Sequence, residues 1–123
     1  MKNAEVNRWL DFNKKRRLIE DKLDEQLAIQ AHKLSLNEFY ALYFLGLKDD
    51  EKLRLQELQA QVGLSQSAMS RLVVRLERPE CGAIERTTCE DDKRGVYIHL
   101  TKVGEDVLKS TLPNIEPIIK ENL

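Results

Sequence analysis

The sequence predicts a mainly α fold carrying one small antiparallel β-hairpin. Three observations predict it. A stretch from about Val6 to Leu34 contains no Pro or Gly and repeats apolar residues at spacings of three to five. Two short amphipathic segments then meet at Gly63, a residue suited to a tight turn. After Pro79 and Gly82 the period falls from helical to two, across two runs joined by CEDDKRG, Cys89 to Gly95.

The totals permit one domain. The chain has 123 residues, 41% of them hydrophobic and 33% charged, which fits a globular chain rather than a disordered one. No apolar run approaches the roughly 18 residues of a membrane helix. The N-terminal MKNAEVNRWLDF lacks the apolar centre of a secretion signal, so a cytoplasmic location is expected. Two cysteines, Cys81 and Cys89, are too few for a disulfide scaffold. Lys plus Arg (20) nearly cancels Asp plus Glu (21), so a nucleic-acid partner would have to be attracted by a local patch.

The first helix carries Trp9, Leu10, Leu18, Ile19, Leu23, Leu27, Ala31 and Leu34, with a break in the pattern around Asn13 to Arg17. It is long for a small domain, so part of its apolar face is expected to meet a partner chain. The basic run Lys14 to Arg17 reads as a solvated face. Ser35 begins a second helix, with Glu38 three residues on completing a capping box, and this helix stops near Gly46. Lys48 to Lys52 reads as a polar linker. A short helix follows with Leu55, Leu58 and Val62 on one face.

Ser65 is the natural N-cap of the fourth helix. Ala68, Leu72 and Leu76, flanked by Met69 and Val73, form its buried stripe. Gln66, Ser67, Ser70, Arg71, Val74 and Arg75 fall on the other side. The strands follow, one centred on Ile84, Arg86 and Thr88, the other on Val96, Ile98 and Leu100. Thr101 caps a further helix, expected to end at Leu112 because Pro113 follows, and Pro117 interrupts the tail.

The order helix, helix, short helix, tight turn, polar-faced helix and hairpin is that of a winged helix-turn-helix. One feature of charge agrees with it. No Asp or Glu occurs from Leu58 to Leu76, while Arg71 and Arg75 do. Ser, Gln and Arg side chains bond phosphate oxygens and base edges, whereas a carboxylate on that face would be repelled by phosphate.

The segment LQELQAQVGLSQSAMSRLVVRLE followed by GAIERTTCEDDKRGVYIHLTKVG resembles the core of the MarR family of bacterial transcription regulators. The matching features are Gly63 to Ser67, Ser70 to Val73, Arg75 to Glu77, the strand entry from Gly82 to Arg86, Asp92 to Gly95, and Leu100-Thr101. The ordered match runs from Leu53 to Gly104. The resemblance implies one domain over 1–123, with dimerisation helices at about 1–34 and 105–123 and a DNA-binding core at about 35–104. It implies a homodimer acting on double-stranded DNA. The two histidines lie on separate elements and no nucleophile elbow, phosphate loop or metal-binding constellation appears, so no enzyme activity and no cofactor are expected. Ser65, Gln66, Ser67, Ser70, Arg71 and Arg75 would then face the major groove. Arg94 would reach the minor groove from the wing, oriented by Asp92. Repression through a pseudo-palindromic operator is the implied function. A winged-helix docking module without DNA binding is the alternative, and it gives no reason for an acid-free face.

Two positions depart from the family pattern. Gln59 stands where an alanine is usual, so its side chain must bend outward or widen the spacing of the two helices. The C-terminal region, reaching Leu123 and carrying two prolines, is shorter than usual, so either the dimer leans more on the first helix or the chain is truncated. Regulation in the family commonly uses a small aromatic or anionic effector, and Phe39, Tyr40, Tyr43, Trp9 and Phe12 line either a pocket for one or the core and dimer interface. Cys81 and Cys89, at the entry and loop of the hairpin, are candidate redox thiols. Cys81, Cys89 and His99 lack the close spacing of zinc ligands, so no metal site is expected. His32 reads as an exposed helix-end histidine.

Overall fold

In the computed structural model, residues 1–88 and 95–123 are described. They form five helices and three strands: α1 (Ala4–Ala28), α2 (Leu36–Gly46), β1 (Lys52–Arg54), α3 (Leu55–Val62), α4 (Gln66–Glu77), β2 (Ile84–Thr88), β3 (Val96–Leu100) and α5 (Lys102–Asn122). Asp92, Arg94 and Cys89 lie outside the described residues.

The caps read from the sequence form. Ser35 Oγ accepts the Glu38 N–H (3.1 Å), and a Glu38 carboxylate oxygen accepts the Ser35 N–H (2.8 Å). Ser65 and Thr101 cap α4 and α5 through their hydroxyl oxygens. Asn3, which the sequence reading passed over, caps α1 by accepting from Glu5 and Val6.

Three expectations are corrected. α1 is uninterrupted around Asn13 to Arg17 but ends at Ala28, not near Leu34. A short turn with Lys33 in the left-handed region (φ 46°) carries Leu34 into the core and leaves Ala31 exposed. The linker ends in a strand: Lys52–Arg54 pairs with β3, giving a three-stranded antiparallel sheet of order β1-β3-β2. Finally, α5 runs through both prolines. Its buried stripe is Gly104, Val107, Leu108, Thr111 and Ile115. Pro113 and Pro117, four residues apart, both lie on the exposed side, so each removes a helix hydrogen bond away from the packed face.

The core places α2 at the centre, packed against α1, α3, α5 and the sheet. Ala41, Leu42 and Leu45 are fully buried there. One sheet face adds Leu53, Ile84, Ile98 and Leu100, joined through Leu53↔Ile98 and Ile84↔Leu100. Of α1, only Leu23 and Leu27 are buried. Val6, Trp9, Leu10, Phe12 and Leu18 are each more than half exposed. No helix among the described residues is long and apolar enough to cross a membrane.

Candidate nucleic-acid interface

The site is built around the turn between α3 and α4. Gly63 adopts φ 82°, ψ 34°, and its N–H and that of Leu64 both bond the Gln59 carbonyl. A Cβ at Gly63 would meet nothing within 4 Å, so the backbone angle, not lack of space, makes this position a glycine. The turn delivers Ser65, whose Oγ accepts the Ala68 N–H at 3.2 Å and lies 3.4 Å from Ser67 Oγ. Ser65 is thus already occupied as a cap.

α4 is strongly two-sided. Met69, Leu72, Val73 and Leu76 are buried and Ala68 is half-buried. Ser65, Gln66, Ser67, Ser70, Arg71, Val74 and Arg75 are all exposed. Glu77, the first acid beyond the acid-free run, does not present a bare carboxylate. It accepts a two-pronged contact from Arg86 on β2, at 2.5 and 3.3 Å, which also ties the end of α4 to the sheet. Arg75 is not free either. Its Nη2 stands 3.3 Å from Oε1 of Glu38, a carboxylate whose side chain is 5% exposed.

Gln59 is half-buried and turned into a groove between α3 and α4 that it shares with Gln56, Gln66 and Ser70. Across α4 lies a second groove, against the start of α2, where Arg71, Arg75 and Arg78 gather. Glu38 and Arg78 are the residues of this region that the sequence reading missed. Glu38 had been noticed only as a cap, and Arg78 follows the helix directly before Pro79.

The five aromatic residues split. Phe39, Tyr40 and Tyr43 line a cavity of about 670 Å³ between α2 and α5, with Ile115, Ile119 and Lys120 opposite. Burial, with the Glu20 and Asp24 carboxylates, pushes the Tyr40 phenol above its ordinary pKa, while Arg16 opposes this. Trp9 and Phe12 are elsewhere, stacked on each other at 6.0 Å on the exposed part of α1. Cys81 is half-buried in the turn between α4 and β2. His99 Nε2 is 2.6 Å from Thr87 Oγ1 across the hairpin, and His32 is exposed in the turn after α1. Among the described residues no group of three or more His, Cys, Asp or Glu is placed to hold a metal ion.

Residues 32–95, just over half of the chain, match the model of the MarR family. The chain belongs to the MarR family. The transcriptional repressor MprA of Escherichia coli (strain K12) is 28% identical over 85 residues, covering 69% of this chain and 47% of MprA. The HTH-type transcriptional regulator SarZ of Staphylococcus epidermidis is 32% identical over 66 residues, covering 54% of this chain and 43% of SarZ. The chain therefore spans less than half the length of these curated relatives. Among solved structures, the MarR family transcriptional regulator Sco3205 from Streptomyces coelicolor, determined in complex with DNA, superposes with a TM-score of 0.89 at 30% identity. That likeness covers all of this chain and 76% of Sco3205. In this MarR-family chain, the matched segment contains α2, the sheet entry, α3 and α4, and thus both partners of the Glu38–Arg75 pair.

Proposed function

We propose that this MarR-family protein is a sequence-specific double-stranded DNA-binding transcription regulator that acts as a homodimer on a pseudo-palindromic operator. The observation that carries this reading is the exposed face of α4. It offers hydroxyl, amide and guanidinium donors, and the nearest acid in sequence after it is neutralised by Arg86. A helix of this kind fits the major groove, with Gln66, Ser67 and Ser70 near its N-terminal end for base edges and Arg71 and Arg75 further along for phosphates. Ser65 contributes by capping the helix and by exposing its backbone to the duplex. Arg94 is assigned to the minor groove, with Asp92 as its orienting partner; a narrow minor groove concentrates negative potential and draws arginine in.

The dimer is supported by the apolar surface of α1. Val6, Trp9, Leu10 and Phe12 are exposed on one chain and need cover. Two-fold symmetry then sets the half-sites about one helical turn apart, roughly 34–36 Å. Repression is the sense we assign, in keeping with MprA. The aromatic cavity between α2 and α5, with Lys120 at its edge, supports a small aromatic or anionic effector.

The test is fluorescence-anisotropy titration of the DNA upstream of the protein's own gene against a scrambled duplex, at two salt concentrations. Tight, salt-sensitive and sequence-selective binding is expected. Absence of binding to either duplex at low salt would favour the docking-module alternative.

A further inference from the structure

The two grooves flanking α4 differ in chemistry. The one toward α3 is neutral, carrying Gln56, Gln59, Gln66 and Ser70. The one toward α2 has a volume of about 470 Å³ and is lined by Asn37, Glu38, Arg71, Arg75 and Arg78. Spacings of four and three place the arginines along one flank of the helix and its end. Among the described residues Glu38 is the one carboxylate lining this groove, and it is already engaged. It accepts the Ser35 N–H at 2.8 Å and pairs with Arg75 at 3.3 Å. Among the described residues, Arg71 and Arg78 carry no ion pair. The mouth of the groove, as its described residues line it, is therefore a positive, donor-rich surface with no exposed acid among them.

We infer that this α2–α4 groove seats a DNA backbone phosphate at the edge of the major groove, with Arg78 and Arg71 donating to its oxygens and Glu38 acting as a positioning residue that holds Arg75. The inference rests on the DNA-binding reading and extends it to Arg78 and Glu38. Position argues for phosphate rather than base. A recognition helix reads bases mainly from its N-terminal residues, whereas Arg78 follows the last turn. The side chain of Arg78 springs from a fixed root, because Pro79 holds its backbone extended at φ −57°, ψ 146°. A guanidinium is the group best matched to phosphate oxygens, through two parallel N–H donors. Glu38 limits the wandering of Arg75 and cancels one of the three positive charges, so Arg71 and Arg78 supply the net attraction.

The test is Arg78→Gln in the full chain, titrated against the upstream and scrambled duplexes across a salt series. Arg78 is exposed, and an unchanged melting curve verifies the fold. Affinity for both duplexes should fall by the same factor, with their ratio preserved. The slope of log K against log salt should shrink by about 0.9, the value for one lost phosphate contact. An unchanged affinity and slope would overturn the inference, as would a loss confined to the upstream duplex, which would make Arg78 a base reader. Saturable binding of inorganic pyrophosphate to wild type but not to Arg78→Gln, with DNA affinity and salt slope unchanged in the variant, would assign the groove to a free anion and overturn it equally. If wild type binds neither duplex, the DNA reading itself fails. If wild type binds and the Arg78→Gln slope is intact, only the groove assignment fails.

Discussion

Gly104→Ala should be among the most damaging single-methyl additions in the chain. Gly104 is buried in the first turn of α5, and its N–H is bonded by the capping Thr101 Oγ1 at 3.0 Å. A Cβ there would stand 2.2 Å from the Ala83 carbonyl oxygen and 2.6 Å from Leu100 Cδ1. An ordinary carbon–oxygen contact is about 3.3 Å or more, so roughly 1 Å of separation must be found. Leu100 can rotate away, but the Ala83 carbonyl cannot. It accepts the Thr101 N–H at 3.0 Å, and the Ala83 N–H is held by the Leu76 carbonyl at the end of α4. The helix must therefore lift off the strand entry, straining that bond and the one from Thr101 Oγ1 to the Gly82 carbonyl. Overpacking of this kind costs about 1–3 kcal/mol and each weakened hydrogen bond about 1 kcal/mol, against a return of up to about 1 kcal/mol in helix propensity. The net loss is about 2–4 kcal/mol, or a fall in Tm of about 10 °C for a chain of this size. Gly46→Ala is the control, because its Cβ would crowd the Leu108 Cδ2 methyl at 2.8 Å, the far end of a side chain that can turn, and meet Leu100 Cδ2 at an ordinary 3.9 Å. It should stay within about 1 kcal/mol of wild type. Urea and thermal unfolding at one fixed protein concentration would measure both, the fixed concentration being required if the protein dimerises. Gly104→Ala within 1 kcal/mol of wild type, or no worse than Gly46→Ala, would refute the packing argument.

Three other substitutions have definite expected outcomes. Glu38→Ala removes both the reciprocal cap of α2 and the Arg75 pair and should lose about 1–2 kcal/mol, while Glu38→Gln keeps the cap and should lose under about 1 kcal/mol; equal losses in urea melts would show that the charge, not the cap, carries the stability. Trp9→Ser together with Leu10→Ser should shift the proposed dimer toward monomer in sedimentation velocity without lowering helix content by more than the α1 segment, and an unchanged sedimentation coefficient would place the dimer contact elsewhere. Arg94→Ala should weaken DNA binding and shrink its salt slope by about 0.9, and a wild-type slope and affinity would remove Arg94 from the interface.

The parts of the fold that the sequence displays are those decided within a few residues. Ser35 with Glu38, Ser65, Gly63 and Thr101 each satisfy a local need of the backbone, and each does in the structure what its spacing implies. The parts it hides depend on distant partners. Lys52–Arg54 has only three residues, and it becomes a strand because Leu53 lies opposite Ile98, 45 positions later. α1 ends early because Leu34 is worth more in the core than in a further turn of helix, a comparison that needs the core itself. Pro113 and Pro117 read as breakers because proline usually is one. They are tolerated because both fall on the exposed side, while Thr111 and Ile115 continue the buried stripe on the opposite side of the helix.

The candidate interface divides along the same line. The absence of acid from Leu58 to Leu76 is a one-dimensional property, and every polar residue it singled out on α4 is exposed. Pairing of the surrounding charges is not one-dimensional. Glu38 stands 37 residues from Arg75, and the charge of Arg75 is offset only because α2 lays its first turn against the flank of α4. The same placement leaves Arg78, which belongs to no periodic pattern, facing a groove whose one carboxylate is already spent. Counting arginines along α4 would rank Arg71 and Arg75 as equal contributors to DNA attraction. The geometry ranks Arg71 and Arg78 together and sets Arg75 apart, because a guanidinium paired with a buried carboxylate brings orientation to a phosphate but little net charge.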